Sequence, residues 1–166
     1  MWPMLAGLSP LFSNAKLGAF VEPSARMEIA IRSGALLVSK DGVDQQVLAL
    51  DGWQSNATLQ SLPVAILMDA ATGSSGEIVL ILLSARPHVR TFGQATYGAS
   101  TSTGGFLLSD GANLVIVTSG VADAGGTLHL HGLTPDHPVV FAPEADAVSD
   151  PDVAAANAWF TEMQCH

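Results

Sequence analysis

The segment best suited to chemistry is the small-residue turn Thr72-Gly73-Ser74-Ser75-Gly76-Glu77. It follows the apolar run 63–68 and precedes a second apolar run, 78–83, an order that predicts strand, turn and helix. Backbone amides at a helix N-terminus point outward and carry partial positive charge, so they can hold an oxyanion. A serine placed there can attack a carbonyl carbon while neighbouring amides stabilise the tetrahedral intermediate.

The same turn has a purely structural interpretation. Ser74 and Glu77 stand three residues apart, as in a capping box, where the serine hydroxyl bonds an amide of the first turn and the glutamate reaches back. Capping signals are far commoner than nucleophiles, so the hexapeptide taken alone favours the capping role.

A second group of candidates follows the predicted strand 127–131. Its alternation places Thr127, His129 and His131 on one face. Two imidazoles at this spacing can chelate zinc, with His137 or Asp136 as a further ligand. A solvated strand face is the favoured interpretation, because no third ligand has a diagnostic spacing. Either His129 or His131 could also serve Ser74 as general base.

Two further residues are interpreted as structural. Asp136, in a Pro-Asp pair, is expected to bond local backbone as an Asx turn. Cys165 cannot form an internal disulfide because it is the only cysteine, and we interpret it as a bystander.

The remaining pattern predicts a mixed α/β domain with one main sheet. Residues 51–62 and 98–105 read as loops. The first elements expected are an amphipathic helix over 2–12, strands within 27–50 around a turn at 40–42, and a central strand at 64–68 buried on both faces. They are followed by a strand at 89–93, a hairpin over 106–117 around Asp110-Gly111, and a C-terminal helix over about 151–163 capped by Asp150.

Across residues 63–140 the chain resembles the tail-specific (C-terminal-processing) serine peptidases. Six elements occur in the family's order. They are the strand Val64–Met68, the Thr72–Glu77 turn, the strand Val89–Gly93, Thr96-Tyr97-Gly98, Leu108-Ser109-Asp110-Gly111 and Gly132-Leu133-Thr134-Pro135-Asp136. The beginning, Met1–Phe12, and the Trp159-Phe160 helix also resemble parts of that family. The whole chain, 1–166, is therefore interpreted as the C-terminal portion of one such domain.

The resemblance implies a ClpP/crotonase-like architecture and a serine endopeptidase that acts on polypeptides through an acyl-enzyme. Carried over residue by residue, it makes Ser74 the nucleophile and Ser75 the donor of an oxyanion-hole amide, with Glu77 supporting the turn. Ser74 is expected in a cleft lined by residues 96–103. The family also includes retinoid-binding relatives, so a catalytically silent binding domain on the same scaffold is the alternative.

One position departs from the family's pattern. Members with a Ser–Lys dyad carry lysine directly after Thr-x-Gly, where this chain has Ala99, and the only lysines are Lys16 and Lys40. The sequence therefore resembles the tricorn-like branch, whose histidine comes from a segment far upstream. This predicts an N-terminally incomplete catalytic domain with little activity by itself and an open sheet edge prone to self-association.

The composition excludes several classes of protein and of binding partner. Of 166 residues, 48% are hydrophobic and 13% charged, which excludes a disordered chain. The net charge of −9 disfavours nucleic acid and anionic membrane surfaces. No apolar stretch is long enough to span a bilayer, and no cofactor is expected. No secretory signal is visible, and although the resembling family is usually exported, the sequence leaves the compartment open.

Overall fold

The computed structural model describes residues 1–54, 56–140, 142 and 149–164. It confirms the mixed α/β class. Its helices are α1 (Trp2–Leu8), α2 (Ala57–Ser61), α3 (Ser75–Leu83) and α4 (Pro151–Gln164), and a 3-10 turn at Ser9–Leu11 follows α1. Its strands are β1 (Ala15–Glu22), β2 (Ala25–Arg32), β3 (Ala35–Lys40), β4 (Val43–Ala49), β5 (Val64–Met68), β6 (Val89–Gly93), β7 (Ser102–Leu107), β8 (Asn113–Asp123), β9 (Leu128–His129) and β10 (His137–Pro138).

The larger sheet is antiparallel, with the order β4-β3-β2-β1-β8-β7 and β9 paired to β8. It contains β1, a strand that the sequence analysis did not predict. Gly18 lies in the middle of β1, and a Cβ at that position would stand 2.4 Å from the Ala122 carbonyl oxygen and 2.6 Å from Leu82 Cδ2. Glycine is needed there because both the β8 backbone and a side chain of α3 lie directly against this position.

The smaller sheet is parallel, with the order β10-β6-β5. The prediction that residues 64–68 form a central strand buried on both faces is wrong. β5 is an outer strand, and Leu67 is 45% exposed. Helix α4 contacts both β5 and β6, but it leaves the Leu67 side chain of β5 largely exposed.

Helix α3 lies at the centre of the core, as its apolar run predicts. Five of its apolar side chains are buried: Ile78, Val79, Ile81, Leu82 and Leu83. They share one cluster with the buried faces of β1, β2 and β8. A helix that is apolar all round needs such an environment, and its position between the two sheets fixes the direction of its N-terminus.

Several boundaries differ from the expectations. The segment 51–62, expected as loop, contains α2, whose Asn56 side chain caps the Leu59 amide at 3.1 Å. Residues 102–105, also expected as loop, belong to β7. The strand expected over 127–131 is reduced to Leu128–His129.

The C-terminal helix confirms its prediction. The Asp150 carboxylate accepts the Asp152 amide at 2.8 Å, and Pro151 occupies the first helical position. Trp159 and Ala156 then pack against Phe92 of β6 in a second small cluster.

One buried arginine joins segments that are distant in sequence. Arg86, just after α3, donates to the carbonyl oxygens of Leu11, Leu59, Gln60 and Leu62 at 2.8–3.1 Å. Burial lowers the pKa of this guanidinium, and the four carbonyl oxygens offset the loss of water. The C-terminal end of α3 is thereby tied to α2 and to the N-terminal segment.

Candidate active site

The turn that carries Ser74 is organised by the aspartate that follows β5. The Asp69 carboxylate accepts the Ala71 amide at 3.0 Å, the Thr72 amide at 2.9 Å and the Thr72 hydroxyl at 2.9 Å. These bonds satisfy the backbone of a loop that has no strand or helix partner of its own. The chain is thus directed from the end of β5 to the first turn of α3.

Ser74 is the N-cap of α3 and has an unusual backbone. Its φ is 50° and its ψ is −118°. A side chain with Cβ strains this conformation, and the cost is of the order of 1–3 kcal/mol. Strained strand-to-helix turns of this kind present a serine hydroxyl at the end of a sheet.

The exposed Ser74 side chain lies in a groove of about 300 Å³. The other lining residues are Met1, Trp2, Phe20, Ser75, Ile78, Thr101, Ser102 and Thr103. The expected contribution of residues 96–103 is therefore limited to 101–103, and Thr96 turns towards Glu77 instead. Larger hollows exist elsewhere in the molecule, but none of them contains a residue of the Ser74 turn.

Glu77 is fully buried and fastens the turn to the loop after β6. One carboxylate oxygen accepts the amides of Ser74 at 3.0 Å and Ala99 at 2.8 Å. The other accepts the Gly98 amide at 2.8 Å and the Thr96 hydroxyl. Four donors on one carboxylate compensate for the lack of a cation nearby. The carboxylate therefore fixes both the backbone of Ser74 and the loop beside it.

The first amides of α3 differ in their availability. Gly76 donates to the Gly73 carbonyl and Ile78 to the Ser74 carbonyl, both at 3.0 Å. The Glu77 amide is directed at the Ser74 side chain, as in the predicted capping box, and the Ser75 amide has no backbone acceptor among the described residues. An amide next to the serine, at the positive end of a helix, has the position required of an oxyanion donor.

The groove lacks a side chain able to take the serine proton. Its lining, drawn from the residues that the structure describes, contains no histidine, lysine or carboxylate. Ala99, at the position of the dyad lysine in the resembling family, contributes only its amide to Glu77. The described residues around Ser74 thus supply a hydroxyl and an amide but no base.

His129 is engaged elsewhere. Its Nε2 lies 3.0 Å from Asp123 Oδ2, and both side chains are about one-fifth exposed. Burial raises the pKa of Asp123, but the bonds from His129 and from the Thr127 and Gly126 amides outweigh it and hold that pKa below its usual range. The pair braces the turn between β8 and β9, a partnership that sequence alone did not suggest.

The zinc alternative finds no support in the arrangement of its ligands. Asp136 accepts the Thr91 amide at 2.9 Å and the Thr91 hydroxyl at 2.8 Å, so it joins β6 rather than forming the expected local Asx turn. His137 packs against the Phe92 ring, with 5.5 Å between centroids. No group of three potential ligands occurs within the described ranges. Cys165 lies outside the described residues.

Thr96 has a role in the site that the sequence analysis did not assign. Its hydroxyl donates to Glu77 and accepts the Leu133 amide at 2.9 Å, which links α3 to the segment before β10. The Thr-x-Gly element drew attention to this residue, but only as part of the family's pattern.

No helix in the described part of the chain is long and apolar enough to cross a membrane.

Comparison with known proteins identifies the scaffold. The family model for peptidase family S41 matches residues 23–139, which is more than half of the chain. The chain belongs to peptidase family S41. The resemblance to tail-specific peptidases is thereby confirmed.

Individual relatives agree with this assignment. The nisin-resistance protein of Lactococcus lactis subsp. lactis is 27% identical over 128 residues, covering 76% of this chain and 38% of the relative. The chloroplastic carboxyl-terminal-processing peptidase 2 of Arabidopsis thaliana is 34% identical over 86 residues, covering 51% of this chain and 17% of the relative.

A solved structure shows the same fold. The photosystem II D1 C-terminal processing protease superposes with a TM-score of 0.54 at 16% identity, covering 84% of this chain and 31% of that one. The S41 chain described here therefore spans less than half the length of these relatives.

Proposed function

We propose that this S41 domain is the nucleophile-bearing part of a serine endopeptidase that cleaves polypeptides. The observation that carries the proposal is Ser74 itself, exposed in a groove and held at a positive φ at the start of a buried helix. Glu77 maintains this conformation from beneath through its bond to the Ser74 amide. A helix cap alone does not require a strained serine, because unstrained caps are available to any helix.

In the proposed reaction the Ser74 Oγ attacks the carbonyl carbon of a peptide bond and transfers its proton to a base. The Ser75 amide donates to the oxygen that becomes negative in the tetrahedral intermediate. The base then gives the proton to the leaving amine, the C–N bond breaks, and an acyl-enzyme remains on Ser74. Water hydrolyses the acyl-enzyme by the reverse sequence of proton transfers.

We infer that the base belongs to a segment outside these 166 residues, since the groove lining offers none. The isolated chain is then expected to hydrolyse peptides slowly or not at all. His129 and His131, the other candidates for the base, do not line the groove, and His129 is paired with Asp123. The ClpP/crotonase-like architecture and an exported location, which the family resemblance implies, remain part of this proposal.

Labelling with a small alkyl fluorophosphonate tests the nucleophile. We expect covalent labelling at Ser74, detected by mass spectrometry of the digested protein, and faster labelling when the longer natural chain or a complementing segment is present. Ser74→Ala should abolish labelling and leave the free energy of unfolding within about 1–2 kcal/mol of the wild type, the usual cost of losing a cap. Labelling that survives Ser74→Ala but disappears in Ser75→Ala would move the nucleophile by one residue.

A second candidate function is a catalytically silent binding domain on the same scaffold. Ala99 favours it, because a binding domain needs no proton acceptor beside Ser74. Such a domain would remain unlabelled by the fluorophosphonate even in its longest natural form, and would still bind a polypeptide or small apolar ligand. The two functions therefore separate on one measurement.

A further inference from the structure

A two-stranded arm projects from the larger sheet beside the Ser74 groove. It consists of β7 and the first half of β8, residues 102–119, and is hereafter called the arm. The second half of β8 pairs with β1 and β9, so the arm extends beyond those strands. Ser102 and Thr103, where β7 begins, line the groove that contains Ser74. The arm is thus continuous with the candidate active site.

Both faces of the arm are apolar and exposed. The register places Phe106, Leu114 and Ile116 on one face, each 43–48% exposed. The other face carries Leu107, Val115 and Val117, which are 59–81% exposed. Exposed apolar side chains that lie side by side in this way are typical of interaction sites. Because both faces are affected, a partner resting on one face would leave the other uncovered.

The outer edge of β7 has unpaired backbone groups. Among the described residues β7 pairs only with β8. Leu108 donates to the Ala112 carbonyl at the hairpin end, and antiparallel pairing alternates from there. The amides and carbonyls of Leu107, Gly105 and Thr103 therefore point outward. An exposed edge of this kind is a template for another strand.

One of the two glycines of β7 leaves this edge accessible. Gly105 is exposed, and a Cβ there would meet nothing closer than Asn113 Oδ1 at 3.3 Å. Gly104 is restricted by its own neighbours, since a Cβ would stand 2.8 Å from Thr118 Cγ2. Glycine within a strand often marks a place where another backbone approaches closely. A bulky side chain on an added strand can cover the bare glycine backbone.

Charge selects among possible strands. The arm contains a single ionisable side chain, Asp110 at its turn, whereas the whole chain carries a net charge of −9. An acidic segment would be repelled by the molecule, and a neutral or basic apolar segment would not.

We propose that the outer edge of β7 binds an extended, uncharged or basic segment of polypeptide rich in bulky apolar residues, as an added strand that leads into the Ser74 groove. The proposal rests on the proposed function and gives that site a substrate class. Backbone bonds to Gly105 and Leu107 supply affinity, and the side chains beside Phe106 and Leu107 supply selectivity.

The test uses a blocked synthetic peptide of alternating valine and tyrosine with a lysine at each end. Its binding to the full chain is measured by fluorescence anisotropy, and backbone amide exchange is followed by NMR. We expect saturation with the peptide to slow exchange at the Gly105 and Leu107 amides by about tenfold or more. The same peptide, N-methylated at alternate amides, keeps its apolar side chains but should not bind.

Gly105→Pro is the decisive variant, with Gly105→Ala as its matched control. The Gly105 amide points away from β8, so proline there spares the β7–β8 ladder while removing the outward donor. We expect about tenfold weaker binding for Gly105→Pro and a change within about twofold for Gly105→Ala. An unchanged thermal midpoint confirms that each variant is folded.

Three results would overturn the proposal: equal binding of the N-methylated peptide, unchanged binding by Gly105→Pro, or protection of the Gly105 and Leu107 amides without peptide that grows with protein concentration. The last would assign the edge to a second copy. Fluorophosphonate labelling of Ser74 is scored on the same samples. Absence of labelling in the longer natural chain, with intact peptide binding, would refute the nucleophile and leave the strand site standing.

Discussion

Replacing Glu77 by glutamine tests whether one buried carboxylate holds the candidate site together. The carboxamide keeps a single acceptor oxygen, and the best orientation directs it at the Ser74 and Ala99 amides. Its NH2 group then faces the Thr96 hydroxyl, which can rotate to accept, and the Gly98 amide, which cannot. Glu77→Gln therefore leaves one buried amide without an acceptor and weakens the other bonds.

The magnitude follows from these contacts. A buried amide without a partner costs about 1–3 kcal/mol, and each bond that changes from charged to neutral loses about 1 kcal/mol. Relief from burying an ion offsets part of this loss. We expect the free energy of unfolding to fall by about 2–4 kcal/mol, which lowers the thermal midpoint by roughly 5–15 °C.

Urea unfolding followed by circular dichroism measures this change, with fluorophosphonate labelling of Ser74 as a second readout. Glu162→Gln, an exposed substitution on α4, is the control and should stay within about 0.5 kcal/mol of the wild type. A Glu77→Gln variant as stable as this control, labelled at the wild-type rate, would refute the role assigned to the carboxylate.

Three other predictions concern the scaffold. The lowered pKa of Asp123 stabilises the fold at pH values above the ordinary aspartate pKa of about 4, and this contribution is lost as pH falls through the folded-state pKa. Asp123→Asn should therefore flatten the acid side of a profile of thermal midpoint against pH. An unchanged profile would contradict this prediction. Gly18→Ala should lower the free energy of unfolding by about 1–3 kcal/mol through overpacking. The control Gly7→Ala, whose added Cβ meets no atom within 4 Å, should be neutral or stabilising. Equal unfolding midpoints for the two variants would show that β1 can move away from β8 and α3. The open edge of β5 should cause self-association, which Leu67→Lys should reduce in sedimentation equilibrium, and a chain that stays monomeric at high concentration would disprove it.

Local signals predicted much of this structure. The alternation within 27–50 and the Asp110-Gly111 pair are signals between neighbouring residues, and the corresponding hairpins form as expected. The spacing of Ser74 and Glu77 likewise placed the start of α3 correctly. In each case the residues that decide the structure are neighbours in the chain.

The features that escaped prediction depend on distant partners. β1 has no clean alternation, and its glycine is explained only by the close approach of the Ala122 backbone of β8 and of Leu82 of α3. β5 is the outer strand of its sheet because no further strand pairs with it among the described residues. No property of residues 64–68 themselves indicates this. Asp136 looks like a turn residue until Thr91 is seen beside it. Sequence periodicity reports burial, but it does not report the neighbour that causes it.

The backbone conformation of Ser74 sets stability and chemistry in opposition at one position. Glycine would adopt a φ of 50° without strain, so Ser74→Gly should relax the turn. In a library of variants at position 74, selection for thermostability alone would favour glycine, and the hydroxyl would be lost. Selection for turnover would hold serine there despite its cost. The residue that enriches under each regime would therefore report directly on whether the hydroxyl or the fold is what the natural sequence maintains.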